Sequence, residues 1–182
     1  MSPPAQSELE VFDVVDANDV VIGTSTRGQV HREKLFHRAI HIFVFNSQGQ
    51  VFLQRRSLEK DSAPGKWASA CSGHVDSGED YESSARREML EELGVEAPER
   101  LEPLFKERAR RETGNEFVWV YRTEHEGPFV LNEEEIMDGQ WIDVEVLDRW
   151  VAEKPRDFSW SFVFLWERYR RESGEMQLKV SA

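Results

Sequence analysis

Apolar residues along the chain fall into short blocks, alternating or continuous, separated by turn-forming clusters. Val11-Phe12-Asp13-Val14-Val15 and Val20-Val21-Ile22 flank Asp16-Ala17-Asn18-Asp19, a pattern that predicts a β-hairpin. Residues 39–45 and 51–54 flank Asn46-Ser47-Gln48-Gly49-Gln50 and predict a second hairpin, of buried character. Residues 55–66 are polar with Pro64-Gly65 and read as a loop. Helical spacing covers about 80–93 and stops at Gly94, a residue suited to a left-handed C-terminal cap. Residues 101–108 and 116–122 are strand candidates around Thr113-Gly114-Asn115, and 140–144 is a short one. Residues 145–152 and 158–171 read as helices, the second rich in aromatics. Mainly β with one central helix and terminal helices predicts an α/β sandwich in a single domain, with residues 1–8 as a loose tail.

Composition narrows the function. The chain has 182 residues, 39% apolar and 32% charged, enough for one core. No basic start followed by an apolar stretch marks a signal peptide, and no run approaches the ~18–20 residues that span a bilayer. A single cysteine, Cys71, points to a reducing, cytoplasmic setting. The net charge of −12 argues against nucleic-acid polymers and anionic membranes. A small anionic substrate would then need metal ions or a local basic cluster, and excess carboxylates suit hard cations. Acidity for solubility alone fits the same totals.

The informative segment runs from Gly73-His74-Val75-Asp76-Ser77-Gly78-Glu79 to Arg87-Glu88-Met89-Leu90-Glu91-Glu92-Leu93-Gly94-Val95. On a helix Glu88, Glu91 and Glu92 fall within an arc of roughly 100°. Ala85, Met89 and Leu93 lie on the adjoining side, ready to bury against a sheet. Like charges at these spacings cost a few tenths of a kcal/mol per pair, which a shared divalent cation would offset. A solvated glutamate-rich face is the plain alternative. Gly73 and Gly78 permit tight geometry before the helix, Ser77 or Asp80 can cap it, and Arg87 can orient a glutamate through a bidentate pair.

This stretch resembles the Nudix box, G-x5-E-x7-R-E-U-x-E-E-x-G-U, and matches it at Gly73, Glu79, Arg87, Glu88, Met89, Glu91, Glu92, Gly94 and Val95. The resemblance implies a Nudix-type α/β/α sandwich over residues 9–182, a mixed sheet with the box helix packed against it. It implies Mg²⁺, with Mn²⁺ as the alternative, held by Glu88, Glu91, Glu92 and the Gly73 carbonyl. Glu79 and Arg87 would align the ligands. The element order, Gln54-Arg55-Arg56-Ser57-Leu58-Glu59-Lys60 and Asn132-Glu133-Glu134-Glu135-Ile136-Met137-Asp138-Gly139-Gln140-Trp141 are similar to isopentenyl-diphosphate isomerases and their hydrolase-type relatives. That likeness puts Arg56 and Lys60 on the diphosphate.

The departures from the isomerase pattern are equally informative. Ser72 stands where the isomerases carry a catalytic cysteine, and Cys71, one residue earlier, would point to the opposite face of a strand. His37, His74 and Glu116 match isomerase metal ligands; His31 matches only with a one-residue gap, and Gly114 replaces a glutamate. A second metal site from His37, His74 and Glu116 competes with structural roles for the histidines. The expected activity is Mg²⁺-dependent hydrolysis of a phosphoanhydride in a small anionic diphosphate, with Arg87, Glu88, Glu91 and Glu92 as catalytic residues and Glu88 as first choice of base. A prenyl-diphosphate isomerase and a non-catalytic diphosphate-binding module are the rivals. The organic group of the substrate and the oligomeric state stay open. Trp160 and Trp166, spaced among Phe158, Phe162 and Phe164, read as core packing, with a pocket-lining aromatic as the minority reading. Lys106, Arg108, Arg110 and Arg111 read as a solvated edge or an extension of an anion site.

Overall fold

The computed structural model describes residues 7–180, with side chains to residue 174. The element order is β1 (Val11–Val15), β2 (Val21–Thr26), α1 (Arg27–Glu33), β3 (His37–Phe45), β4 (Gln50–Arg56), β5 (Trp67–Ser69) and β6 (Cys71–His74). It continues with α2 (Tyr81–Leu93), β7 (Glu102–Glu107), β8 (Glu116–Glu124), β9 (Ile136–Asp143), α3 (Val144–Glu153) and α4 (Trp160–Val180). Of the expected tail, residues 1–6 lie outside the described residues. Ser7 and Glu8 are tied down, through Ser7 N to Glu10 Oε1 at 3.0 Å and Gly28 N to the Glu8 carbonyl at 3.1 Å.

The sheet alternates its burial as a pleat demands. On β3, Ala39, Phe43 and Phe45 face one side, against Val118 and Val120 of β8 and Leu147, Val151, Phe162, Leu165 and Trp166 of α3 and α4. Ile40, Ile42 and Val44 face the other side, against Ala85, Met89 and Leu93 of α2. Two helical layers therefore enclose a mixed sheet, the α/β/α sandwich expected. Each fully buried Val, Leu, Ile, Phe or Met among these contributes roughly 1.5–3 kcal/mol relative to exposure. Among the described residues no helix is long and apolar enough to cross a membrane.

The second hairpin forms at its turn and then parts. β3 and β4 share the Phe45–Val51 register pair, after which β3 runs parallel to β8 from His37–Glu116 to Phe45–Glu124, while β4 runs antiparallel to β9 from Gln50–Asp143 to Arg56–Ile136. The far ends, His37 of β3 and Arg56 of β4, are thus borne by diverging strands. β6 pairs with β3 and places Ser72 opposite His41 and Cys71 opposite Ile42.

Three elements depart from expectation. α1 is seven residues long, contains Gly28 and buries only Arg27 and Val30, too little for an amphipathic period; Thr26 caps it. β9 begins at Ile136 rather than 140, because its outer residues Met137 and Asp138 are exposed and mask the alternation. α4 starts at Trp160; Phe158 precedes it and bridges to Trp67 of β5.

Candidate metal and diphosphate site

α2 is set by local chemistry. Asp80 accepts from the Ser83 amide and Ser83 Oγ reciprocates in a capping box, and Gly94 closes the helix at φ 66°. Packing Ala85, Met89 and Leu93 on the sheet turns Glu88 and Glu92 inward, at 9% and 1% exposure. Glu91 is left at the outer edge of the arc, its side chain 55% exposed. The three glutamates therefore do not form one uniform patch: two are buried and one is solvated.

Arg87 joins them. Its guanidinium donates to Glu79 Oε2 at 3.0 Å, Glu88 Oε1 at 2.7 Å, Glu91 Oε2 at 3.0 Å and the His74 carbonyl at 3.0 Å. The Glu88 carboxylate is seated on Gly73, where a Cβ would meet it at 2.1 Å. Glu92 Oε2 accepts from the Ser72 amide at 3.0 Å and from Gln54 Nε2 at 2.9 Å, while Glu92 Oε1 is buried with no partner. Burial, then the charge of Glu92, pushes the Glu88 carboxyl well above its ordinary range. Burial, then the charge of Glu135, pushes Glu92 up to about 7. Desolvated neighbouring carboxylates with an unused oxygen are the donor chemistry a hard divalent cation satisfies.

β6 also borders a cavity of about 960 Å³. Its wall includes Ser72, Gly73 and His74 of β6, Arg27 and His31 of α1, Arg56, Lys60 and Glu116; Glu88, Glu91 and Glu92 are not part of it. β6 thus serves both, its Ser72 amide and Gly73 meeting the box carboxylates while the same residues line the cavity, and Lys60 of the wall acts on the charge of Glu92. Arg56 and Lys60 are both on the wall, as the diphosphate expectation requires. Lys60 comes already ion-paired to Glu135, Arg56 Nε donates to the Ser62 carbonyl at 2.9 Å, and Arg27 Nη2 meets Asp61 at 2.6 Å.

The imidazoles assemble at the end of the cavity. One donor atom each from His31, His37 and His74 lies within 4.8 Å of the others. Glu116 Oε1 stands 3.0 Å from His74 Nε2 and 3.4 Å from His37 Nε2. His37 Nδ1 lies 2.9 Å from the Leu35 carbonyl and donates to it, which turns Nε2, buried, toward Glu116 Oε1. Three imidazoles converging beside a carboxylate are a donor set that also fits a divalent metal. Burial, with the adjacent imidazoles, lowers His31 to about 4, leaving it neutral and ready to ligate. Burial would raise Glu116, but the contacts with His37 and His74 outweigh it and hold its carboxyl far below the usual range.

His37, His74 and Glu116, which match isomerase metal ligands in sequence, come together in the structure. His31, out of step by one residue in sequence, joins them from α1, and Gln54, Arg27 and Glu135 carry no site signal of their own in the sequence. The last lies in the stretch singled out from 132 to 141, where a run of three glutamates gave no sign of which one turns inward. Cys71 is fully buried, in the cluster that holds Ile42 and the α2 residues, and burial raises its thiol well above the ordinary value. Trp166 is core, whereas Trp160 is 69% exposed and lines the cavity. The basic cluster divides: Arg111 reaches the cavity wall, while Lys106 pairs with Asp19 and Arg110 with Glu107.

Comparison with known proteins agrees with this architecture. The model of the NUDIX domain family matches residues 35–163. An isopentenyl-diphosphate Delta-isomerase of Burkholderia multivorans is 35% identical over 158 residues, covering 85% of this chain and 90% of that protein. An uncharacterised Nudix hydrolase of Yersinia pestis is 39% identical over 137 residues, covering 74% of this chain and 73% of that one. Among solved structures, DR0079 from Deinococcus radiodurans superposes with a TM-score of 0.77 at 30% identity, covering 87% of this chain and 98% of that one.

Proposed function

The chain belongs to the Nudix family, and on that premise we propose that it hydrolyses the phosphoanhydride bond of a small organic diphosphate, using Mg²⁺ or Mn²⁺. The observation that carries this reading is the pair of buried carboxylates, Glu88 and Glu92, pressed on Gly73 and Ser72 directly beside a cavity whose wall presents a hydroxyl and no thiol. Glu88, Glu91, Glu92 and the Gly73 carbonyl would hold one cation; His31, His37, His74 and Glu116 would hold another. Such ions neutralise phosphoryl oxygens and acidify water when bound.

The chain's own residues do the rest. Arg56 and Lys60 supply positive charge to the diphosphate, Lys60 exchanging Glu135 for a phosphoryl oxygen. Arg87, anchored by Glu79 and the His74 carbonyl, holds Glu88 in place. Water attacks phosphorus, the bridging P–O bond breaks, and the water's proton passes to a box carboxylate. We assign that role to Glu88, which rests on Gly73 of the cavity wall and whose carboxyl is raised by burial and by Glu92, favouring acceptance of a proton.

A second reading, isomerisation of a prenyl diphosphate, is favoured by the histidine–glutamate cluster and by relatives named as isomerases. It needs a proton donor at a carbon–carbon double bond, and Cys71 is turned into the core on the other face of β6. Phosphorus NMR in D₂O separates the readings, with Mg²⁺, isopentenyl diphosphate and a pool of nucleotide and sugar diphosphate derivatives, and Glu92→Gln as control. New phosphate signals that vanish in the control support hydrolysis. Intact phosphorus signals with carbon-bound deuterium in the prenyl substrate identify an isomerase. Tight binding without either leaves a diphosphate-binding module.

A further inference from the structure

One ionisable side chain on the cavity wall has no part in the chemistry above. His41 stands in the middle of β3 at 5% exposure, directly opposite Ser72 in the antiparallel register with β6. Residues opposed across such a pair project to the same face, so the imidazole and the Ser72 hydroxyl form one patch on the cavity floor. Ser69 Oγ lies 2.7 Å from His41 Nδ1 and fixes the ring's orientation. With Nδ1 engaged by Ser69, Nε2 is the ring nitrogen left to meet a ligand, and His41 lines the cavity. Burial lowers the imidazole to about 4, so at neutral pH it offers a hydrogen bond without a charge.

The cations of the wall belong to other elements: Arg27 to α1, Arg56 to the end of β4, Lys60 to the loop after it and Arg111 to the turn before β8. A diphosphate has its partners there. A neutral imidazole and a hydroxyl on the floor match an uncharged oxygen. A hydrocarbon chain in the same place would cover the Ser72 hydroxyl and the second His41 nitrogen without offering either a partner, a penalty added to the lost contact itself.

We propose that His41 and Ser72 recognise the organic half of the substrate by hydrogen bonding an uncharged oxygen on it, and so select hydroxyl-bearing diphosphates over plain hydrocarbon ones. The inference rests on the proposed diphosphate function and extends it to the substrate's organic group.

The test compares glyceryl diphosphate with butyl diphosphate, similar in size and differing in hydroxyls. The wild type should prefer the glyceryl compound by at least about tenfold in kcat/KM. His41→Phe should lose activity on that compound alone and erase the preference, and His41→Asn, which keeps a donor, should restore part of it. Equal losses on both substrates, or no preference in the wild type, overturn the proposal. Calorimetric binding of the methylene-bridged analogues of the same two compounds repeats the comparison without bond cleavage. A binding preference without turnover would overturn the hydrolase reading while supporting His41; no binding preference would overturn the role of His41 even if both diphosphates are hydrolysed. Should His41→Phe fail to fold, Ser69→Ala leaves the imidazole present but unanchored and should shrink the same ratio; an unchanged ratio there counts against the proposal.

Discussion

The Glu88 carboxylate rests on the Cα of Gly73 so closely that a Cβ there would stand 2.1 Å from its carboxyl carbon. The requirement for glycine is one of space, since a side chain at this position meets a carboxylate that is itself buried and clamped by Arg87. Gly73→Ala must push Glu88 aside. Overpacking of this kind costs roughly 1–3 kcal/mol, so the variant should fold with a lower melting temperature. Metal-dependent turnover should fall by about a hundredfold or more, because Glu88 loses its position relative to Glu92. Thermal melts and turnover on one preparation check both halves. Unchanged turnover would show that Glu88 does not work from this position.

The box helix was legible because three signals coincide on it: the cap at Asp80, the Ala85–Met89–Leu93 stripe, and Gly94 in the left-handed region. The burial of Glu88 and Glu92 against the solvation of Glu91 was not, since a 100° arc says nothing of where the sheet's edge cuts it. The histidine cluster depended on α1, a helix too short and too polar to announce itself, so His31 stayed apart from His37 in the sequence reading. That β6 is shared by the glutamates and the cavity is a tertiary fact. It follows from β6 pairing with β3 while α2 packs against it and Ser72, Gly73 and His74 line the cavity. The opposite facing of Cys71 and Ser72 was legible because it depends only on the alternation of a strand.

Glu92 makes a prediction about pH. Its carboxyl is raised to about 7 in the folded chain against 4.5 as reference. Between those values the unfolded chain has released a proton that the folded chain retains, so stability of the cation-free protein falls as pH rises. The loss is on the order of 3 kcal/mol by pH 8. Glu92→Gln removes the ionisation and should therefore melt above the wild type at pH 8 and converge with it near pH 4.5. Added Mg²⁺ or Mn²⁺ should raise the wild type's melting temperature at pH 8 more than the variant's. The opposite order at pH 8, in the absence of cation, would mean that Glu92 is stably ionised in the fold.

The convergence of His31, His37 and His74 beside Glu116 gives a prediction about metal. Co²⁺ taken up by His31, His37, His74 and Glu116 should show visible d–d absorption. Removing one ligand, as in His31→Ala or Glu116→Gln, should weaken that uptake by at least about tenfold. Glu91→Gln, solvated and outside the cluster, should leave the absorption titration unchanged. A titration insensitive to both ligand variants would leave the cluster as a structural contact between α1, β3 and β6.

Cys71 and Ser72 divide the rival activities between adjacent residues on opposite faces of one strand. Cys71 sits at 0% exposure among apolar side chains, and burial disfavours its thiolate, so neither form of the sulfur meets a substrate. Cys71→Ala should cost only a packing loss of about 1 kcal/mol. Cys71→Ser, similar in shape but bringing a hydroxyl into the core, should cost more, roughly 1–3 kcal/mol. Neither should abolish turnover of a diphosphate, because the thiol touches Glu92 but lies off the cavity wall. Ser72→Ala should leave stability nearly unchanged, since its amide, the group that holds Glu92, is retained. A chain in which Cys71→Ala abolished deuterium incorporation into isopentenyl diphosphate would be an isomerase. Its thiol would then have to reach the cavity by a turn of β6, which breaks the Ile42–Cys71 register and is detectable as faster amide exchange along that strand.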